Sequence, residues 1–442
     1  MSRKVVFEKS LATILVGLLI WSSLTLGPTQ TKAVKTTETC DLAIITPVRY
    51  SDALQPLLIH KENHGVATKL VTLDEVYSGS YFSVKGRDDA EKIKYFIKDA
   101  LDSWALKYVL LMGDVNTIPM RKSYATYTFT SDFSFIPTDL YYADVYDENG
   151  SFCSWDSNNN SIFGEFHWDV ENDSRNFIDD VDLCPDVGLG RLPVKNNKEV
   201  KAVVDKIIAY EDQPAEEQWF HRLILIGGDT FPKINGTEGE TVTEYIASQM
   251  PDFTPVKLWM SLHTLTVRNF NREISRGAGF VSYSGHGVWY GLATYPENDS
   301  PSYRHFNYYL PFILGLKNGG KLPVMFFDAC LTADLDHTVV GLKIPCLAWA
   351  LVKKPAGGAI ATIGSTELIY GGYIGDPLRG GSPRMNAEFF DAYEPGSHVA
   401  DMFVRAERSY VQTLWKDCIT LEEFELIGDP SLKIGGYISD FA

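Results

Sequence analysis

An α/β architecture, with a mainly parallel sheet flanked by helices, is what this chain of 442 residues predicts. Short apolar runs recur along it, each bounded by glycine, proline or aspartate, as the strands of buried parallel sheets are. Successive runs leave room for a helix between them, and that alternation builds a sheet covered on its faces. Two of the runs lead to reactive side chains: residues 280–283 precede His286, and residues 324–327 precede Cys330. Open α/β sheets place their sites at the carboxyl ends of such strands.

At the N-terminus Arg3, Lys4 and Lys9 precede an apolar stretch from Leu11 to Leu26, and Thr31-Lys32-Ala33 follows. Basic, apolar and small-residue regions in that order form a secretory signal, expected over residues 1–33, with a mature chain from about Val34. The stretch is short for a bilayer span, which needs roughly 20 apolar residues. No other membrane contact is expected. Loss of 1–33 removes four bases and one acid, so the net charge falls from −17 to −20. That balance disfavours nucleic acid and anionic lipid and suits a secreted or cell-surface protein that binds cations. A hydrophobic content of 45% supports a large core. Two subdomains are expected, residues 34–215 and 216–436.

In the first, residues 42–48 and 107–114 are expected strands, with an amphipathic helix over 88–105 between them. An Asp-, Asn-, Ser- and Gly-rich span, 127–182, interrupts this rhythm as a long ordered insertion. Regular structure returns near 187–193 and in a helix over 197–210, and the polar run 211–218 is the junction. Beyond it, strands are expected at 223–229, 280–283, 324–327 and 358–366.

His286 stands between two glycines at a strand end, which gives its ring access and its backbone freedom to turn. Cys330 ends the neighbouring Asp-Ala-Cys run, where an adjacent imidazolium would lower its pKa. A thiol beside an imidazole is the minimum machinery of a cysteine hydrolase. His337, seven residues after the thiol, is the competing base. Cys40, Cys153, Cys184, Cys346 and Cys418 are too few for a disulfide framework, and no CxxC pair suggests zinc. Cys153 with Cys184 is a candidate bridge in an exported chain. Cys346 lies in an apolar run and is expected to fill core.

The set Tyr-Ser-Gly-His286-Gly, Asp-Ala-Cys330, Ile-Pro-Cys346-Leu-Ala-Trp-Ala-Leu, Gly-Ser365-Thr366 and Gly428-Asp-Pro-Ser-Leu432 resembles the gingipain family of cysteine peptidases, which has the caspase-like fold. The resemblance runs from Leu42-Ala-Ile-Ile-Thr-Pro to Pro430. It implies Cys330 as nucleophile, His286 as the histidine that protonates the leaving amine, and the amides of Gly287 and Cys330 as oxyanion donors. The family's acid near the histidine falls on Asp229, one methylene shorter than the glutamate common there. A carboxylate for an arginine or lysine at P1, the substrate residue before the cleaved bond, falls on Glu238 or Glu240. If that loop is extended, only one of the two can point inward. One pocket wall falls on the segment Ser365-Thr366-Glu367-Leu368-Ile369-Tyr370-Gly371.

A second site is expected at Asp156, Asn158, Asn160, Ile162 and Glu165. Oxygen ligands at every second residue, followed by a carboxylate, are how a short loop wraps Ca²⁺. The same residues also suit a set of Asx turns. The whole indicates a secreted cysteine endopeptidase acting on protein or peptide substrates through a thioester. A transpeptidase using the same pair, and a non-catalytic binding protein on the same scaffold, are the alternatives. No motif speaks to oligomeric state.

Overall fold

The structure, a computed structural model, describes residues 39–127, 130–169, 174–213, 218–233, 236–299, 305–371, 375–414 and 417–437. The expected signal segment, 1–33, lies outside them. Ten strands form one sheet: β1 (Leu42–Thr46), β2 (Thr68–Thr72), β3 (Tyr108–Met112), β4 (Gly188–Leu192), β5 (Arg222–Gly227), β6 (Thr254–Trp259), β7 (Phe280–Ser284), β8 (Val324–Asp328), β9 (Ala361–Ser365) and β10 (Phe424–Ile427). Their spatial order is β6-β5-β7-β8-β9-β10-β4-β3-β1-β2.

Neighbours are parallel everywhere except at one seam, where β10 runs antiparallel to β9 and parallel to β4. The α/β class and the mainly parallel sheet are therefore as expected. The boundary between 215 and 216 is not a clean cut, because the C-terminal strand returns to complete the first half. Residues from 38 onward form a single compact unit.

Strands β1, β3, β7 and β8 are buried at every position, which is why they read as unbroken apolar runs. The two edge strands escaped the sequence reading. β2 (Thr-Lys-Leu-Val-Thr) and β6 (Thr-Pro-Val-Lys-Leu-Trp) have one open side, and they carry lysine, and in β6 also proline, that a central strand excludes.

Among the described residues, the seven longer helices that flank the sheet are α1 (Ser51–Asn63), α2 (Asp89–Trp104), α3 (Asn197–Glu211), α4 (Glu238–Gln249), α5 (Val267–Ser275), α6 (Gly381–Asp391) and α7 (Val399–Thr413). In α2 the stripe Ile93, Phe96, Ile97, Ala100 and Trp104 is buried at helical spacing. Asp88 caps its first turn through the Glu91 N–H at 2.8 Å. The same carboxylate takes both Arg121 nitrogens at 2.8 Å, which ties the helix to the insertion.

The described residues of the insertion carry regular structure. They form a second sheet of Arg121–Tyr127, Thr130–Thr138, Phe163–Asp169 and Ser174–Phe177. Buried ion pairs fasten the first half to the chain's end and to the insertion. Lys61 of α1 meets Glu211 at 2.7 Å and Asp429 at 2.8 Å, and Arg191 of β4 grips Asp139 with two nitrogens. Such pairs specify one arrangement, since losing one partner strands a buried charge.

The Cys153–Cys184 bridge is not formed, and none of the six cysteines is in a disulfide. Cys153 instead donates to the Asp180 carbonyl at 2.9 Å. Cys346 is buried, as expected of core filling.

Behind the sheet, Glu422 on the short helix Cys418–Glu423 is buried with no cationic partner among the described residues. Burial pushes its carboxyl from the ordinary 4.5 up to about 8. A raised carboxyl stabilises the fold fully below the unfolded value, and that contribution is lost as pH rises toward 8. Glu422→Gln, which cannot ionise, should raise Tm at pH 8 by roughly 5 °C and at pH 5 by much less. Calorimetry at the two pH values checks this, and equal shifts would mean that the carboxyl is ionised throughout.

Candidate active site

The register of β7 on β8 builds the site. Ser284 pairs with Asp328, so His286 and Cys330 each lie two residues beyond a matched pair on adjacent parallel strands. Side chains two residues apart share a face. The Gly285 N–H continues the ladder to the Asp328 carbonyl at 3.1 Å. From there the chain turns into a hairpin, His286–Val288 against Gly291–Thr294. The Tyr283 hydroxyl lies 2.9 Å from the His286 carbonyl and 2.7 Å from that of Ala293, and so holds the turn.

A cleft of about 150 Å³ brings His286 and Cys330 together with Thr230, Glu238 and Asp328. This is smaller than a cavity for a drug-sized ligand and suits a single side chain. His286 Nε2 lies 2.8 Å from the Thr230 carbonyl. A carbonyl only accepts, so Nε2 carries the proton and Nδ1 of the neutral ring is left as acceptor.

Leu331, directly after the nucleophile, has a φ of +57°, a strained turn for a branched residue. Its N–H bonds the Glu367 carbonyl at 3.0 Å, and Ala333 N–H bonds the Ser365 carbonyl at 2.8 Å. The thiol turn is thus clamped to the end of β9. Gly287 needs to be glycine, because a Cβ there would lie 2.5 Å from the Cys330 carbonyl oxygen. This close approach puts the two expected oxyanion residues side by side.

The thiol is not activated in the resting site. Burial raises its pKa above the ordinary 9, and the charges of Glu423 and Asp328 push the same way. The expected lowering by an imidazolium is therefore corrected: burial is the largest influence on the thiol, and it raises the pKa. His337 stays out of the cleft, stacked on Trp289 at 4.0 Å and 3.3 Å from Asp334.

The other expected residues divide. Asp229 is buried at the end of β5, but its carboxylate accepts the Asn298 N–H at 2.8 Å, and the hydrogen bond to His286 comes from Thr230. Residues 238–240 are not an extended loop. They are the first turn of α4, where positions two apart point about 200° from each other. Glu238 accordingly faces the cleft and accepts the Thr230 N–H at 3.1 Å. Glu240 faces away and is spent on the N–H and hydroxyl of Ser261, so it is no part of the pocket.

Ser365 and Thr366 are buried, and their hydroxyls bond the carbonyls of Glu367 and Pro137, which removes them from the wall. Ile369 and Gly371 of the same segment form it. Tyr370 between them turns outward, its ring edge-on to Trp168 of the insertion at 5.9 Å. Thr230 carried no signal of its own in the sequence. Asp328 did, since it sits two residues before Cys330 on the same strand.

In the loop 156–165 the expected ligands do converge. Asn158 and Asn160 reach the same Glu165 oxygen at 2.8 and 2.6 Å. Asp156 accepts the N–H groups of Asn160 and Ser161 and pairs with Arg87. Ile162 donates its N–H to Asn160 at 2.7 Å. As arranged, these oxygens already have donors, and Arg87 supplies a positive charge. Among the described residues no three His, Cys, Asp or Glu side chains gather as a metal site.

A thiol with a raised pKa makes a direct prediction. Alkylation of Cys330 by iodoacetamide should climb about tenfold per pH unit from 7 to 9. A rate already level below pH 7, followed by peptide mass spectrometry, would reveal a standing thiolate–imidazolium pair instead.

Comparison with known proteins bears on the whole chain. The model of Peptidase family C25 matches residues 35–435. Gingipain R2 of Porphyromonas gingivalis is 23% identical over 349 residues, 76% of this chain and 38% of the gingipain, so this chain aligns with well under half of that relative. An uncharacterized protein of Archaeoglobus fulgidus is 25% identical over 355 residues, 72% of each chain. The crystal structure of the Arg-specific cysteine proteinase gingipain R superposes with a TM-score of 0.62 at 21% identity, over 91% of this chain and 79% of its own. The shared fold, and a family match over almost all the described residues, establish that this chain belongs to peptidase family C25.

Proposed function

We propose that the protein is a secreted cysteine endopeptidase, and the observation that carries this is the pairing of His286 and Cys330 in one cleft at register-matched strand ends. The substrate carbonyl lies against Cys330, with the Gly287 and Cys330 amides as oxyanion donors. Preformed amides stabilise the developing negative charge without reorganising. Sγ bonds to the carbonyl carbon as its proton passes to His286. Because Nε2 is held by Thr230, the basic nitrogen is Nδ1. The C–N bond then breaks, and the imidazolium protonates the departing amine. Water attacks the thioester, releasing the acid and restoring the thiol.

Since the resting thiol is neutral, proton removal belongs to the attack step itself. Asp229 has no hydrogen bond to the ring in this arrangement, so its contribution is to the bridge between residues 229 and 295 that backs the cleft. The basic, apolar and small-residue order at the N-terminus supports export. Glu238 in the cleft supports a preference for arginine or lysine at P1.

Cys330→Ala should abolish hydrolysis, a loss on the order of 10⁶ in kcat, with an unchanged fold by circular dichroism. Cys346→Ala should keep most activity. A positional P1 peptide library with the mature enzyme tests both, and an acyl adduct on Cys346 by mass spectrometry would reject the nucleophile assignment.

We further propose that the loop 156–165 takes Ca²⁺, supported by the convergence of Asp156, Asn158, Asn160 and Glu165. Binding requires Arg87 to leave Asp156 and the two amides to turn their oxygens inward. Ca²⁺ should therefore raise Tm by only a few degrees, through ligand linkage. Arg87→Gln should strengthen the response, and Asp156→Ala with Glu165→Ala should remove it. A calcium response that survives the double variant rejects this loop.

A further inference from the structure

The turn 353–360 joins the short helix Leu347–Val352 to β9, and together they bring four main-chain carbonyl oxygens to one point. Lys206 of α3 fills that point. Its Nζ donates to the carbonyls of Val352 at 2.6 Å, Ala359 at 2.9 Å, Gly357 at 3.0 Å and Lys354 at 3.2 Å. An ammonium has three protons, so four acceptors outnumber its donors and one proton is shared. All four oxygens are neutral. Among the described residues the ammonium has no carboxylate partner, and Asp205 beside it on α3 pairs with Lys201 at 2.8 Å.

The convergence is built by the turn itself. Ala356, Gly357 and Gly358 have φ of 53°, 154° and 84°, which curls the chain around its own carbonyls. A Cβ on Gly358 would lie 2.2 Å from the Leu351 carbonyl oxygen, so the curl needs glycine there. Asn318 braces it from outside: its amide nitrogen donates to the Gly358 carbonyl at 2.8 Å, and its oxygen accepts the Gly358 N–H at 2.9 Å. The Ala359 N–H bonds the Leu351 carbonyl at 3.1 Å. None of these bonds involves Lys206, so the cage of oxygens has supports of its own. The Lys206 stem lines a surface cavity of about 850 Å³ with Gly319, Pro355 and Ala356, which gives small ions a path inward.

We propose that this cage is a monovalent-cation site of the K⁺ and NH₄⁺ class, with the Lys206 ammonium as its built-in occupant. Clustered carbonyl oxygens replace the hydration shell of such an ion. K⁺ has no protons to aim, so it can use all four oxygens. A divalent ion such as Ca²⁺ draws carboxylates, and neutral oxygens alone disfavour it. By carrying its own cation the chain needs no dissolved salt at this point. The same contact fastens α3 to the amino ends of β8 and β9, where the Ile360 N–H bonds the Pro323 carbonyl at 3.0 Å.

Burial and the Lys354 charge push the Lys206 amine down from its ordinary 10.5 to about 7, while the four carbonyl dipoles favour the charged form. At about pH 6 the ammonium is charged under both influences.

The test is calorimetry at that pH in choline chloride, KCl or NH₄Cl, each at about 0.2 M, and it does not depend on turnover. Lys206→Ala empties the cage. Its Tm in choline chloride should fall by about 5 °C or more below the parent's. KCl or NH₄Cl should restore about half of that loss or more, through ligand linkage. The parent, its cage filled, should melt alike in all three salts. Lys206→Met, which puts an apolar end where the ion would sit, should lose stability and regain none. In crystals of Lys206→Ala soaked in RbCl, an anomalous peak should lie among the four carbonyl oxygens.

If Lys206→Ala does not fold in choline chloride, its refolding yield in the three salts replaces Tm, with the same expected order. Equal Tm or yield in the three salts overturns the proposal. So does a selective ion response that persists in Lys206→Met, or Rb⁺ found only away from the cage.

Discussion

The hydrogen-bonded register between β7 and β8 is the constraint on which the site depends. A parallel pair sliding by one residue would turn every side chain to the other face. Here each strand is buried on both sides, so a slip would break packing along its whole length. The matched pair Ser284 and Asp328 therefore acts as a fixed base, with His286 and Cys330 two residues above it on neighbouring strands. Everything finer hangs from that base: the Tyr283 hydroxyl on the histidine turn, the strained Leu331 after the thiol, and the close contact of Gly287 with Cys330.

The second organising feature is the antiparallel seam between β9 and β10. The two halves of the sheet run in opposite directions, so their carboxyl ends lie on opposite sides. Only the half holding β5, β7 and β8 presents the cleft. The other half stiffens it, closed by the strand the chain adds last and locked by Lys61 between Glu211 and Asp429. Buried ion pairs of this kind contribute arrangement more than energy, because desolvation offsets much of their attraction.

Electrostatics around the cleft lean acidic. Glu238 and Asp328 line the cleft of a thiol that burial already keeps protonated. Thr230 occupies a central position in this scheme, since its N–H bonds Glu238 and its carbonyl bonds His286. One residue links the acidic wall to the base.

By itself the sequence determined the fold class, the order of the long elements, and the pairing of His286 with Cys330. These follow from local signals: fully buried strands are unbroken apolar runs, helices carry a repeating stripe and a cap, and a reactive residue at a strand end is visible in line. The edge strands β2 and β6 were not legible, since an open side dilutes the apolar pattern. Neither was the membership of β10, four residues whose role depends on two distant neighbours. Tertiary structure alone decided which carboxylates face the cleft. Glu238 and Glu240 are equivalent in composition and separated only by helical phase, while Ser365 and Thr366 turn inward to satisfy carbonyls of other segments. It also placed Thr230 in the site, selected Ile369 and Gly371 from the expected wall segment, and set the thiol's acidity. Side-chain direction and burial are properties of packing between segments far apart in the chain, which no local run of residues encodes.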